Sequence, residues 1–180
     1  MTPTRPRTWR PHARGYRSIL VGFFLAAICL VSFLGSQPAL AKVPRYAVVV
    51  GHNIGDPQDV PLRYAEQDAR KVGDVLERFG DVPGDRIMRL YGVNSNQLVG
   101  TLRQVTTQVA TSKKAHPEDE HVLIFYYSGH ADARALHMRG TKFEFSRLMK
   151  ELESTAANVR VLMIDACRSG ELTRVKGAAP

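Results

Sequence analysis

Two reactive side chains, an imidazole and a thiol, each come shortly after an apolar run. His130 follows the run HVLIFYY, and Cys167 follows the run VRVLMI. A thiol is mostly protonated at neutral pH, and a neighbouring imidazole generates the nucleophilic thiolate. The same imidazole can then protonate a leaving amine. The pair indicates acyl-transfer chemistry if the fold brings the two side chains together.

Each of these residues also has a structural interpretation, which the pattern alone leaves open. A single cysteine after an apolar strand is often a small buried hydrophobe, and a single histidine is often structural. The spacing of cysteines and histidines lacks the paired ligands of a zinc site, so we expect no metal and no cofactor. Four further histidines are interpreted as structural or surface residues: His52, His116, His121 and His137.

The order of apolar patterns predicts an α/β fold with a mainly parallel sheet and helices on both faces. Continuous apolar runs predict strands over 45–51, 86–91, 121–127 and 159–164, and a small hairpin over 136–143 turns at Arg139-Gly140. Helical spacing of apolar residues spans 62–79, 98–109 and 145–152. The second helix opens with Asn94 and Gln97 at capping-box spacing, and a loop is predicted over 112–120.

In open parallel sheets, ligands bind beyond the carboxyl ends of the strands. His130 and Cys167 are separated by 37 positions, but each follows such an end. If the strands over 121–127 and 159–164 are neighbours, the two side chains face one cleft.

Two motifs at these positions, YYSGHAD (126–132) and DACRSG (165–170), resemble the histidine and cysteine motifs of the caspase and metacaspase clan. The segments RYAVVVGHN and PLRYAEQDARKVGDVL are similar to the first strand and helix of bacterial caspase-like domains. The resemblance implies a caspase-like fold and a cysteine endopeptidase that hydrolyses peptide bonds through a thioester acyl-enzyme. Cys167 would be the nucleophile and His130 the acid–base. The backbone amides of Cys167 and Ala131 would form the oxyanion hole, with Ala131 where the family usually has glycine.

The resemblance also implies a specificity. Asp165 stands two residues before the nucleophile, where metacaspases have aspartate and caspases proper have glutamine. A carboxylate there would bind an arginine or lysine side chain of a protein or peptide substrate. The alternative is that Asp165 caps a turn or a helix. For the whole domain, the alternatives are a non-catalytic caspase-like interaction or regulatory module and a hydrolase of small amides or esters.

The formal net charge of +8 is concentrated in the N-terminal segment. No acidic residue precedes Asp56, and the chain from Lys42 onward has a net charge of only about +3. Such a domain has no electrostatic footprint for nucleic acid, so we expect none as a partner. The other five positive charges belong to basic residues of the N-terminal segment, Arg5, Arg7, Arg10, Arg14 and Arg17.

The N-terminus has the order of a secretory signal, with a basic stretch, an apolar run over 19–34 and the small-residue site Ala39-Leu40-Ala41. We expect 1–41 to be a signal segment and 42–180 an exported, periplasmic or extracellular, catalytic domain. The alternative is an uncleaved membrane anchor. Cleavage after Ala41 would remove Cys29 and leave Cys167 as the single thiol.

The resemblance further implies additional strands, the small-subunit part, after the point where this sequence stops at Pro180. Either the sequence is a fragment of a longer catalytic domain, or that part comes from elsewhere. Without those strands, the sheet is expected to have an open edge beside its last strand. The segment after the nucleophile ends in small residues and proline, which is typical of an exposed loop. If the pocket prefers basic residues, Arg174 and Lys176 are candidate self-cleavage sites. The alternative is that they are only solvated loop charges.

Overall fold

The computed structural model describes residues 41–166, in which strands and helices alternate. The chain forms an α/β fold, as predicted, and each predicted strand and helix within this range is confirmed, with shifts of boundary given below. A short 3₁₀ turn, Gly84–Arg86, precedes β2. In chain order the elements are β1 (Arg45–Gly51), α1 (Ala65–Phe79), β2 (Ile87–Tyr91), α2 (Ser95–Ala115), β3 (Val122–Ala131), β4 (Ala135–Met138), β5 (Thr141–Glu144), α3 (Phe145–Glu153) and β6 (Val159–Ala166).

Four of these strands form a parallel sheet in the order β2-β1-β3-β6, and the hairpin β4–β5 joins the end of β3 in antiparallel pairing. Ser128 on β3 lies opposite Gly51 on β1 and opposite Asp165 on β6. One residue further, Gly129 lies opposite Ala166. The predicted neighbourhood of the histidine and cysteine strands is therefore confirmed.

Helices cover both faces of the sheet because successive strand residues point to opposite sides. On one face, Val48, Phe125 and Tyr127 belong to the core that includes α2 and α3. On the other face, Val49 and Tyr126 belong to a second core with α1. Strands that are buried on both faces read as continuous apolar runs, which is why the sequence predicted them well.

Two strands run further than the sequence predicted. The third was expected to end at Tyr127, but β3 continues to Ala131, so His130 lies within the strand. The residues there stay extended because neighbouring strands pair with them. Ser128 and Gly129 pair with β6, and His130 lies opposite His137 on β4. The last strand, β6, also continues past residue 164 to Ala166, because Asp165 and Ala166 pair with β3.

The helix boundaries also differ from the prediction. The first helix begins at Ala65, and Leu62, which was expected within it, instead donates its N–H to Asn53 O in the preceding loop. The second helix continues to Ala115 into the predicted loop 112–120. Polar side chains of its last turn make tertiary hydrogen bonds that an apolar pattern does not reveal.

The hairpin turn is confirmed at Arg139-Gly140, where both residues have positive φ, 47° and 74°. Two consecutive positive φ values define a type I′ turn, which matches the twist of the flanking strands. The N–H groups of the turn donate to Ile54 O and Gly55 O at 3.0 and 2.9 Å. The hairpin thereby holds the loop that follows β1.

The last strand, β6, pairs only with β3 within residues 41–166, so the expected open edge is present in the described part of the sheet. Its apolar side chains are partly exposed, among them Val159, Val161, Leu162 and Met163.

Within residues 41–166, no helix combines the length and apolarity needed to cross a membrane. Residues 1–40, which include almost all of the predicted signal segment, lie outside the described residues.

The capping box of α2 yields a prediction about stability. Asn94 accepts from the Gln97 N–H at 3.1 Å, and the Gln97 side chain accepts from the Asn94 N–H at 2.9 Å. Asn94→Ala should lower the free energy of unfolding by about 1 kcal/mol, because the helix loses its N-cap acceptor. Urea unfolding measures this change, with Asn96→Ala on the exposed side of the same turn as the matched control. Equal stability of both variants would contradict it.

Candidate active site

His130 is held by a backbone carbonyl from the loop after β1. Its Nε2 lies 2.8 Å from Val60 O. A carbonyl oxygen only accepts, so Nε2 carries the hydrogen in the neutral ring and Nδ1 is the nitrogen that can take a proton. The hydrogen bond therefore fixes the tautomer and orientation that a general base requires.

The loop packs closely against the imidazole at Gly55. A Cβ at this position would lie 2.9 Å from Cδ2 of His130 and would also collide with Asp59 Oδ2. Only glycine lets the loop backbone approach the ring so closely. The loop is also joined to the sheet by the His52 N–H, which donates to Ser128 O at 2.9 Å.

Tyr127 supports the histidine from the opposite face of the sheet. Its hydroxyl lies 2.7 Å from His130 O and 2.9 Å from His137 O, and the side chain is fully buried. Burial raises the pKa of the Tyr127 phenol far above its usual value, so the group remains a donor. It fixes the backbones of β3 and β4 at the point where they meet.

Ala131, the predicted oxyanion residue, is the last residue of β3 and pairs with Leu136. The neighbouring N–H of Asp132 donates to Ala135 O at 3.0 Å. Hydrogen-bonded and non-hydrogen-bonded pairs alternate in an antiparallel ladder, so the Ala131–Leu136 pair is the non-hydrogen-bonded one. The Ala131 N–H therefore points away from β4 and is not used by that ladder.

Asp165 lies in β6, one residue before the strand ends at Ala166. Its carboxylate accepts a hydrogen bond from Tyr126 Oη at 3.3 Å. Burial, together with the charge of Asp165, raises the pKa of Tyr126, which keeps the phenol protonated as a donor. Asp165 itself is exposed, so its carboxylate is accessible from solvent.

Asp165 lines a pocket of about 260 Å³ together with Asp68 and Ser128. Arg63 also lines it, and Asp68 makes an exposed ion pair with Lys71 at 3.3 Å. Exposed ion pairs are weak and can exchange partners. Asp68 was not among the predicted site residues, although it lies in the segment PLRYAEQDARKVGDVL, because the apolar stripe of that helix gives no sign of which polar residues face a pocket.

His137 was interpreted as a structural or surface residue, and its contacts in the structure are structural. It is buried, with Nδ1 2.6 Å from Asp59 Oδ2 and Nε2 2.9 Å from Asp132 Oδ2. Asp56 also lies near Nδ1, at 3.8 Å. No signal in a single sequence pairs a strand histidine with carboxylates from two separate loops.

The same cluster contains the donor set that could hold a metal ion, Asp56, Asp59 and His137. Both imidazole nitrogens, however, face carboxylates, and Lys142 Nζ contacts Asp56 and Asp132 at 3.3 and 2.9 Å. The cationic groups already present satisfy the carboxylates. In the described residues the cluster therefore has the geometry of an ion-pair network.

Cys167 lies outside the described residues, as do the candidate self-cleavage residues Arg174 and Lys176. Its covalent neighbour Ala166 is opposite Gly129, the residue before His130. The roles of Cys167, of its backbone amide and of the two basic residues remain predictions.

The sequence profile of a family described as the caspase domain matches residues 44–179, which is most of the chain. This chain belongs to the caspase-domain family of cysteine peptidases. The family resemblance expected from the two motifs is thereby confirmed, and the parallel sheet with helices on both faces agrees with it. No curated protein matches the chain.

The buried hydroxyl of Tyr127 provides a test of the site's framework. Tyr127→Phe should lower the free energy of unfolding by about 1–3 kcal/mol, because two carbonyl oxygens at the β3–β4 junction lose a buried donor. Urea unfolding at neutral pH measures the change, and Tyr64→Phe, which removes an exposed hydroxyl, is the control. A Tyr127→Phe protein as stable as the control would show that the hydroxyl contributes nothing.

Proposed function

We propose that this protein is a cysteine endopeptidase that cleaves peptide bonds after arginine or lysine. The observation that carries the proposal is the register of β3 and β6, in which Gly129 lies opposite Ala166. The residues that follow them in the chain are His130 and Cys167. The family match and the hydrogen bond from His130 to the Val60 carbonyl support the same assignment.

In the proposed reaction, Nδ1 of His130 takes the proton of Cys167, and the thiolate attacks the carbonyl carbon of the scissile peptide bond. The backbone N–H groups of Cys167 and Ala131 stabilise the oxyanion. His130 then gives its proton to the leaving amine, and a thioester remains on Cys167. Water, deprotonated by the same imidazole, hydrolyses the thioester and restores the thiol.

The proposed specificity rests on the two carboxylates that line one pocket. Asp68 and Asp165 lie on different elements, α1 and β6, and both border the same cavity. A guanidinium or ammonium group entering the pocket would form charge-assisted hydrogen bonds with them, displacing Lys71 from Asp68. We also propose, from the order of the N-terminal segment, that the domain is exported.

Removal of either reactive side chain tests the catalytic assignment. Cys167→Ala and His130→Ala should each abolish peptidase activity, and the double variant should lose no more than either single variant, because the residues act as a unit. Turnover of fluorogenic arginyl and lysyl peptides measures this, with circular dichroism to verify the fold. Undiminished turnover by the Cys167→Ala protein would refute the proposal and favour a non-catalytic module.

The pocket carboxylates are tested by neutral isosteric replacements. Asp165→Asn should reduce kcat/KM for arginyl substrates by roughly ten- to a hundredfold, since a charge-assisted contact contributes about 1.5–3 kcal/mol. Asp68→Asn should act in the same direction, whereas Asp74→Asn, an exposed carboxylate elsewhere on α1, should have no effect. A wild-type preference for aspartate at the cleaved position would contradict the assignment.

A further inference from the structure

His137 is the cross-strand partner of His130 and is bound on both ring nitrogens by carboxylates. Nδ1 lies 2.6 Å from Asp59 Oδ2, and Nε2 lies 2.9 Å from Asp132 Oδ2. An ionised carboxylate only accepts hydrogen bonds, so this geometry requires a proton on each nitrogen. The ring is therefore an imidazolium that bridges two anions.

The two anions belong to separate segments. Asp132 lies in the turn between β3 and β4, next to the strand that carries His130. Asp59 lies in the loop after β1 and immediately precedes Val60, whose carbonyl binds His130 Nε2 at 2.8 Å. The same loop is closed on itself, because Asp59 Oδ2 also accepts the Asp56 N–H at 2.7 Å. The imidazolium thus ties the Val60 segment to the end of β3.

The remaining charges around His137 come from β5 and from the same loop. Lys142, its partner on β5, contacts Asp56 and Asp132, and Asp56 lies 3.8 Å from Nδ1. Lys142 is about half exposed, so water screens its charge, whereas the His137 side chain is only 10% exposed. Of the two cations, the buried imidazolium interacts more strongly with the carboxylates.

We propose that His137 is a positioning residue for the peptidase reaction, an imidazolium clamp that holds the Val60 carbonyl against His130 Nε2. The proposal rests on the proposed function. His137 does not touch the substrate in this arrangement and acts by fixing the tautomer and orientation of the His130 ring. Two backbone hydrogen bonds from the β4–β5 turn hold the loop at Ile54 and Gly55. Neither of them involves Val60, so they do not fix the carbonyl that binds His130.

The clamp depends on pH in a defined direction. Burial opposes the charged form of His137, but hydrogen bonds to Asp132 and Asp59 outweigh it and raise the pKa above its usual value. A raised pKa means that the imidazolium contributes its full stabilisation below about pH 6.5 and loses it as pH rises through the folded-state pKa. Loss of the clamp should therefore appear on the alkaline side of the activity profile.

The first test is His137→Gln, which donates to only one carboxylate and carries no charge. The variant should lose kcat by up to roughly a hundredfold with KM unchanged, because the pocket carboxylates are untouched while the base is misplaced. His121→Gln is the matched control: His121 is also buried, with Nε2 2.9 Å from Ser112 Oγ, but does not contact this network. A kcat for His137→Gln equal to that of the control would overturn the proposal.

The second test is the pH profile of Asp132→Asn. The introduced amide can donate to Nε2 of a neutral His137 while Nδ1–H still donates to Asp59, so the clamp no longer needs the second proton. The alkaline limb of kcat should then move to higher pH than in the wild type. An unchanged alkaline limb would show that the charge state of His137 does not limit the reaction and would overturn the clamp. An acid-shifted limb would show that the amide does not replace the Asp132 contact, so that His137 loses its proton at lower pH, and would still support the clamp.

The third measurement separates this proposal from the proposed function, because it needs no turnover. In Cys167→Ala protein labelled with ¹⁵N-histidine, NMR titration should show His137 protonated on both nitrogens up to a pH above 6.5. His130 should be held as the Nε2–H tautomer, and adding His137→Gln should convert it to a mixture. A singly protonated His137 at pH 6, or an unaltered His130 tautomer in the double variant, would overturn the clamp. Absence of peptidase activity with the NMR result as expected would refute only the proposed function.

Discussion

Strand β3 pairs in parallel with β1 over Val122–Ser128 and with β6 over Val122–Gly129, and the candidate site depends on these two ladders. Side chains alternate along the strand, so the apolar residues enter the two cores and fix the register. A slip of one residue would turn Phe125 and Tyr127 toward the wrong face. The register in turn decides which residues of β1, β3 and β6 meet at the carboxyl edge.

Beyond that edge the backbone is positioned by polar contacts. The loop after β1 has few apolar anchors and is held by the hairpin turn, by the ring of His130 and by the ion pairs around His137. A buried charge is costly unless it is paired and hydrogen-bonded. The cluster meets this condition because each nitrogen of the imidazolium has a carboxylate partner. Burial alone would raise the pKa of Asp59 and Asp132, but hydrogen bonds, among them those from His137, lower the pKa of both carboxyl groups.

The carboxylates at this edge of the sheet therefore fall into two groups with different roles. The carboxylates of Asp68 and Asp165 remain accessible in a pocket and can accept a cationic side chain. The carboxylates of Asp59 and Asp132 are already bound to an imidazolium, with Lys142 beside them, and stabilise the protein's own loop. Accessibility and existing partners, and not residue type, separate a candidate binding site from a structural network.

The sequence by itself determined the elements of the fold and the two chemical motifs. Continuous apolar runs, such as Arg45–Gly51, and the capping box at Asn94 are local signals, and they predicted the strands and the start of α2 correctly. The extension of β3 to Ala131 was missed because residues 128–131 stay extended through pairing with β1, β6 and β4, which no local pattern reveals.

Only the tertiary structure decided which distant groups meet. Asp68 joins Asp165 because α1 packs beside the carboxyl ends of β3 and β6. His137 lies between Asp59 and Asp132 because a hairpin and a loop that are far apart in the chain converge there. Such contacts connect residues with no regular spacing, so no periodic pattern records them. Residue types predicted the candidate catalytic chemistry, whereas three-dimensional packing determined its surroundings.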